Sequence, residues 1–221
     1  MTTSPASIRP TRAGIVLLDP DTSRVLRIIV LQYNPDTLTR TLQAQGVGDE
    51  AGDRLEALRL KGPPQETLRI EAELDATDQL EFPRQHPVVA EFGLLPALAA
   101  LEGLLYPPSG QLLFGDQLAR LGMIEIAPVE APLSLFVWSS SRILPVRVTE
   151  FSVTEEAFDT SLHPIRAKVT LGMRVLSVDD LGFTHRGGVL FLLHQQQKER
   201  FARMNTAGTP GALGITAIPG G

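Results

Sequence analysis

The sequence predicts a mainly β protein of the α+β class with one or two helices, and three observations carry that prediction. Residues 66–76, ETLRIEAELDA, alternate without a break: Leu68, Ile70, Ala72 and Leu74 fall on one side, Arg69, Glu71, Glu73 and Asp75 on the other. Residues 165–176 repeat the pattern, with Ile165, Ala167, Val169, Leu171, Met173 and Val175 inward and Arg166, Lys168, Thr170 and Arg174 outward. Against these, LLPALAALEGLL at 94–105 places Leu94, Leu98, Leu101 and Leu105 at helical spacing and stops at the Pro107–Pro108 pair.

The remaining elements follow from turn chemistry. Residues 14–33 hold two Val- and Ile-rich runs around DPDTS, whose Asp, Pro and Ser favour a turn, so a β-hairpin is expected there. TLTRTLQ after Pro35 reads as a short strand, and 44–65, with four glycines and two prolines, as a long loop. PLSLFVW at 132–138 and RILPVRVTEFSVT at 142–154 form a second hairpin across Ser139, Ser140 and Ser141. GFTHRGG at 182–188 is expected to be a loop, followed by a helix over about 189–204 with Leu190, Leu193 and Phe201 on its inner side. The organisation expected is a flexible arm at 1–13, one domain at 14–181, and a helix with a Gly/Pro-rich extension at 182–221.

Composition narrows the function classes. The 221 residues carry 20 Lys and Arg against 25 Asp and Glu, a net charge of -5, with no basic cluster to displace counterions from phosphates. Nucleic-acid binding is not expected. Cysteine is absent, so disulfides, thiol nucleophiles and thiolate metal sites are excluded, and a reducing cytoplasm is the compartment easiest to reconcile. The first residues show no signal-peptide core, and no apolar run reaches the length needed to span a bilayer, so membrane insertion is not expected.

No enzyme motif emerges. His86, His163, His185 and His194 show no metal-ligand spacing and read as structural or surface residues. Gly46, Gly48 and Gly52 stand among Asp49, Glu50 and Asp53, whose charge would repel a phosphate. Asp19 and Asp21, split by Pro20, suit a turn better than a calcium loop. Glu71, Glu73 and Asp75 suit a solvated or interfacial strand face better than glycoside hydrolysis. No catalytic residue, cofactor or metal is expected.

Several segments, taken in order, carry a resemblance: LQYNPDTLTRTL at 31–42, LRLKGPPQETLRIEAELDATDQLE at 58–81, LPALAALEGLLYPP at 95–108, FVWSSSRILPVRVTEFSVTEEAFDTSLHPIRAKVTLGMRVL at 136–176, and RGGVLFLLHQQQKE at 186–199. Together they resemble the tube-domain family of contractile injection systems, in the form of small baseplate adaptors that often add a LysM module. The resemblance implies a tail-tube-like β-barrel or sandwich, assembled with itself as a ring of six copies joining the inner tube to the spike hub and baseplate wedge or sheath components. It implies location in the cytoplasm within an assembled particle. Residues 205–221 depart from the family: no LysM repeat begins there. The same resemblance admits a terminator or cap ring at the distal end of the tube. A small carbohydrate-binding module or hydrolase is the alternative of another class, and the clustered aromatics or convergent carboxylates it needs are not evident.

For such a subunit the outer strand faces supply the interface candidates: Glu71, Glu73 and Asp75 on one strand, Arg166, Lys168 and Arg174 on the other, opposite in sign and able to set register across subunits. The low charge of the C-terminal segment and its Leu213, Ile215 and Ile218 suit an extended tail laid along a partner.

Overall fold

The computed structural model describes residues 11–19, 22–46, 59–121, 131–205, 208 and 210–214. Its strands are β1 (Gly14–Leu18), β2 (Val25–Val30), β3 (Leu38–Gln43), β4 (Gln65–Asp75), β5 (Leu133–Ser139), β6 (Arg142–Phe158) and β7 (Pro164–Val175). They form one sheet in the order β2-β1-β5-β6-β7-β4-β3, and every neighbouring pair is antiparallel. The mainly β, α+β class stands. Among the described residues the sheet is not closed into a barrel, and β2 and β3 are its two edges.

The strict alternation at 66–76 and 165–176 has a direct structural cause. β4 and β7 pair along nine positions, from Thr67↔Arg174 to Asp75↔Arg166, and the register aligns Leu68 with Met173, Ile70 with Leu171, Ala72 with Val169 and Leu74 with Ala167. All eight of these residues are buried. The row continues through Val146 and Leu144 of β6 and Phe136 of β5 to Ile15 of β1, one contiguous apolar face. Two bulges in β6 and β5, at Val148/Glu150 and Val137/Ser139, bend it.

The helices are more numerous than expected. Among the described residues they are α1 (Thr77–Leu80), α2 (Pro87–Phe92), α3 (Leu95–Glu102), α4 (Ser109–Arg120), α5 (Val178–Leu181) and α6 (Arg186–Met204), with a short 3-10 turn at Pro210–Leu213. Only the regions of α3 and α6 were predicted. α1, α2 and α5 are too short to show a helical period, and α4 has no buried residue at all, so neither length nor an apolar stripe marks them in the sequence. Leu94, Leu98 and Leu101 around α3 cover the apolar face; the Leu94 N–H donates to the Pro164 carbonyl, and the Ala76 N–H to that of Ile165, which ties both helix starts to β7.

Two expectations for the C-terminal helix are corrected. It begins at Arg186, not 189, because Gly187 and Gly188 are needed for close approach rather than for a loop. A Cβ on Gly188 would collide with the Gly182 carbonyl oxygen, and one on Gly187 with a Leu181 methyl. The inner side is also different: Leu193 is 55% exposed and Phe201 51%, while Gly187, Phe191 and His194 are buried. These lie at i, i+4 and i+7, the stripe of a helix seated on β6. α5 starts at a capping box, in which Ser177 Oγ accepts from the Asp179 N–H and the Asp180 carboxylate accepts from the Ser177 N–H.

A smaller apolar cluster of Leu18, Leu133 and Leu135 lies on the opposite side of β1 and β5, where Leu181 and Leu190 pack against it. At the sheet's N-terminal end, Ala13 is buried, its N–H bound to Asn34 Oδ1 and its carbonyl to the Leu31 N–H. The long-loop prediction falls largely on 47–58, outside the described residues; a single bridge, Gly46↔Leu60, joins its two ends.

Candidate assembly surface

The polar face of the sheet brings five of the six predicted interface residues together within a single chain, and the sixth, Arg174, stands at the far end of the same pairing, opposite Thr67. β4 and β7 are adjacent strands, so Asp75 stands opposite Arg166 and Glu73 opposite Lys168. Arg166 donates to Asp75 at 2.9–3.0 Å, Lys168 lies 3.9 Å from Glu156, and Arg174 pairs with Asp180 at 2.6 Å. The opposite signs noticed in the sequence are thus met within the chain. The Thr77 hydroxyl and N–H, and then Arg166, hold the Asp75 carboxyl below its ordinary range.

Gly172 permits a further link across β7. Arg69 of β4 reaches Glu150 of β6 at 2.8 Å over the intervening strand, and a Cβ on Gly172 would sit 2.8 Å from that of Glu150. Such half-exposed pairs contribute typically under about 1 kcal/mol each. Their effect is to neutralise cations on this face. Among the described residues Glu71 and Glu73 make no ion pair, and with Asp36 they line a groove beside Tyr33 and Asn34.

The edges are chemically unlike this face. β2, VLRIIV, exposes Val25 (58%), Leu26, Ile28 (60%) and Val30, apolar residues on both sides of one edge strand. Arg27 is its one charge and neither proline nor lysine interrupts it, and such a mostly apolar edge is a template for another strand. β3 exposes Thr39, Thr41 and half of Leu42, and its Arg40 is held inward. The hairpin expected over 14–33 is present, β1 pairing antiparallel with β2, and within it β2 lacks the alternation of a strand with one wet face.

Arg40 belongs to a buried polar cluster that sequence reasoning missed. Glu66, at the buried-face position next to Leu68, accepts from Arg40 at 2.7–2.8 Å and from Lys198 of α6 at 3.1 Å. Burial alone would raise the Glu66 pKa; the hydrogen bonds and charges of Arg40 and Lys198 outweigh it and hold the carboxyl below its usual value. His194, one turn before Lys198, is buried, and neither ring nitrogen has a hydrogen-bond partner. Burial first, then the charges of Lys198, Arg40 and Arg142 against the opposing Glu66, push it down to about 4.

The other predicted residues are scattered. His185 N-caps α6 through Nδ1, His163 pairs with Asp159, and Asp19 holds its turn by accepting from Thr22. Leu213 is 78% exposed, and Ile215 and Ile218 lie outside the described residues. Among the described residues no three His, Asp or Glu side chains are placed to share a metal ion.

No protein-family model matches the chain. No curated protein matches it at a significant level. Among solved structures it is similar to a chain of the tail of an empty GTA particle, determined by helical refinement with C6 symmetry. That match has 11% identity and a TM-score of 0.29, over 74% of this chain and 90% of the other.

The His194 cluster predicts acid sensitivity of a definite sign. In the folded chain His194 stays neutral down to about 4, whereas in the unfolded chain it protonates near its ordinary 6.5, so the unfolded state binds more protons between these values. Stability therefore falls as pH drops from 6.5 to 4, and the depressed Glu66 carboxyl extends the loss below that window. In urea titrations, His194→Phe should lose less stability than wild type between pH 6.5 and 4; an identical loss would contradict the assignment.

Proposed function

We propose that this chain is a structural, non-catalytic ring subunit of a phage-tail-like contractile injection system, built from six copies of itself. The observation that carries the reading is the pair of open edges on a sheet whose one apolar face is already filled, with β2 apolar on both sides. A lone chain leaves that strand's hydrogen-bonding groups and four large apolar side chains in water; closing a ring pairs every edge without leaving a free end.

In this reading the ring joins the inner tube to the spike hub and baseplate inside an assembled cytoplasmic particle. The ordered segments from 31–42 to 186–199 that resemble the tube-domain family support that placement. The six charged residues act at subunit or partner contacts through what the chain leaves unpaired. Since Arg166, Lys168 and Arg174 are engaged internally, Glu71 and Glu73 are the groups a basic neighbour would meet.

The test is the oligomeric state of the purified chain. Wild type should form a six-copy species in analytical ultracentrifugation, and Ile28→Lys, which places a charge on the exposed edge, should give monomers with an unchanged melting temperature. A wild type that stays monomeric at every concentration rules the ring out. The C-terminal tail is read as a docking segment: removing 206–221 should leave melting unchanged and reduce co-purification with tube and hub proteins. If the truncated chain melts lower, the tail belongs to the subunit's own core.

A further inference from the structure

The two edges of this sheet have a fixed relative direction, and it constrains how copies join. Six antiparallel junctions separate β2 from β3 in the order β2-β1-β5-β6-β7-β4-β3. Six reversals restore the starting direction, so Val25→Val30 and Leu38→Gln43 run the same way across the sheet. A two-fold axis at one edge would pair β2 with β2, or β3 with β3, antiparallel. Any head-to-tail joint, in which β3 of one copy meets β2 of the next, is parallel instead.

We infer that copies of this chain join through a parallel seam between β3 of one copy and β2 of its neighbour, an inference that rests on the ring reading above. The occupant of each edge is the opposite edge of a second copy, for reasons of length and chemistry. Both strands have six residues. On the core side, Ile29 of β2, paired with the buried Ile15, meets Leu38 and Leu42 of β3, and Leu26, set off by a bulge, lines a groove with Leu17 on that same side. On the other side, Val25, Ile28 and Val30, opposite Leu18, Val16 and Gly14 of β1, stand beside the uncharged Thr39, Thr41 and Gln43, neighbours suited to cross-strand packing. The cation of β3, Arg40, is already neutralised by Glu66, so it does not repel Arg27 as a free charge would. Joining β2 to β2 would instead stack two apolar strands and leave both β3 edges unpaired.

A parallel joint also suits the apolar character of β2. Parallel strands are covered on both faces and read as near-continuous apolar runs, as VLRIIV does apart from Arg27, whereas antiparallel strands with a wet face alternate, as β4 and β7 do.

The absence of native cysteine makes the test clean, because each introduced thiol is the only one of its kind. Val25→Cys and Val30→Cys are each combined with Thr39→Cys, Thr41→Cys or Gln43→Cys, and the purified chains are oxidised with diamide after their oligomeric state is measured. The seam predicts that Val25→Cys bonds to Thr39→Cys or Thr41→Cys and Val30→Cys to Thr41→Cys or Gln43→Cys, giving covalent ladders longer than dimers. Bonds of Val25→Cys with Gln43→Cys, or of Val30→Cys with Thr39→Cys, would show the reverse direction and overturn the inference. Dimers from the single variant Ile28→Cys or Thr41→Cys alone would show a two-fold joint and overturn it as well. An oligomer that yields no disulfide from any pair also overturns the seam, while leaving the ring reading in place. A chain that is monomeric before oxidation removes the ring reading and the seam together.

Discussion

Burial of one apolar face shared by β4, β7, β6, β5 and β1 is the constraint on which the rest of the fold depends. Helices supply its cover: Leu94, Leu98 and Leu101 from the α3 region, and Phe191 from α6. The N–H groups of Ala76 and Leu94 are anchored on β7, so the helical insertion between β4 and β5 is fixed at its start by the same strand that forms the centre of the core. Truncating a side chain in this row, such as Phe136 or Leu171, would leave a cavity costing on the order of 3 kcal/mol. No comparable loss would follow from the half-exposed ion pairs of the polar face.

Covering the face leaves two demands unmet, and they differ in kind. The polar face balances its own cations, through Arg69–Glu150, Arg166–Asp75 and Lys168–Glu156, and keeps Glu71 and Glu73 in solvent. Solvent satisfies that face without a partner. The β2 edge has no such remedy, since its exposed side chains are apolar apart from Arg27 and, among the described residues, its outward backbone groups lack a strand. α4 adds a second bare surface, with Leu112, Leu113 and Phe114 about two-thirds exposed. An assembly role gives these surfaces a use that a solitary domain would not.

The sequence was most legible where a single face is buried. Alternation at 66–76 and 165–176 marked β4 and β7, and the inward residues predicted for both are the buried ones, with Ile165 only partly covered. Legibility failed where burial depends on close approach or on long-range pairing. Gly187 and Gly188 read as loop residues because the neighbour that requires them, α5, is itself invisible to periodicity. Glu66 looked like one more charge at the start of a strand, yet its partners stand at 40 and 198, distances in sequence that no local pattern spans. The charged candidates were found as a group, but their adjacency within one chain depends on the β4–β7 register. β2 was read as half of a hairpin, and its lack of alternation is the signal that distinguishes an edge awaiting cover.

Hydrogen exchange at the edge strands, followed as a function of protein concentration, tests the central claim most directly. If the edges are the assembly surface, amides within 25–30 and 38–43 should gain protection together as concentration rises, while those of β4, β6 and β7 remain protected throughout. Edge amides that exchange at one unchanging rate while the chain assembles would contradict the account.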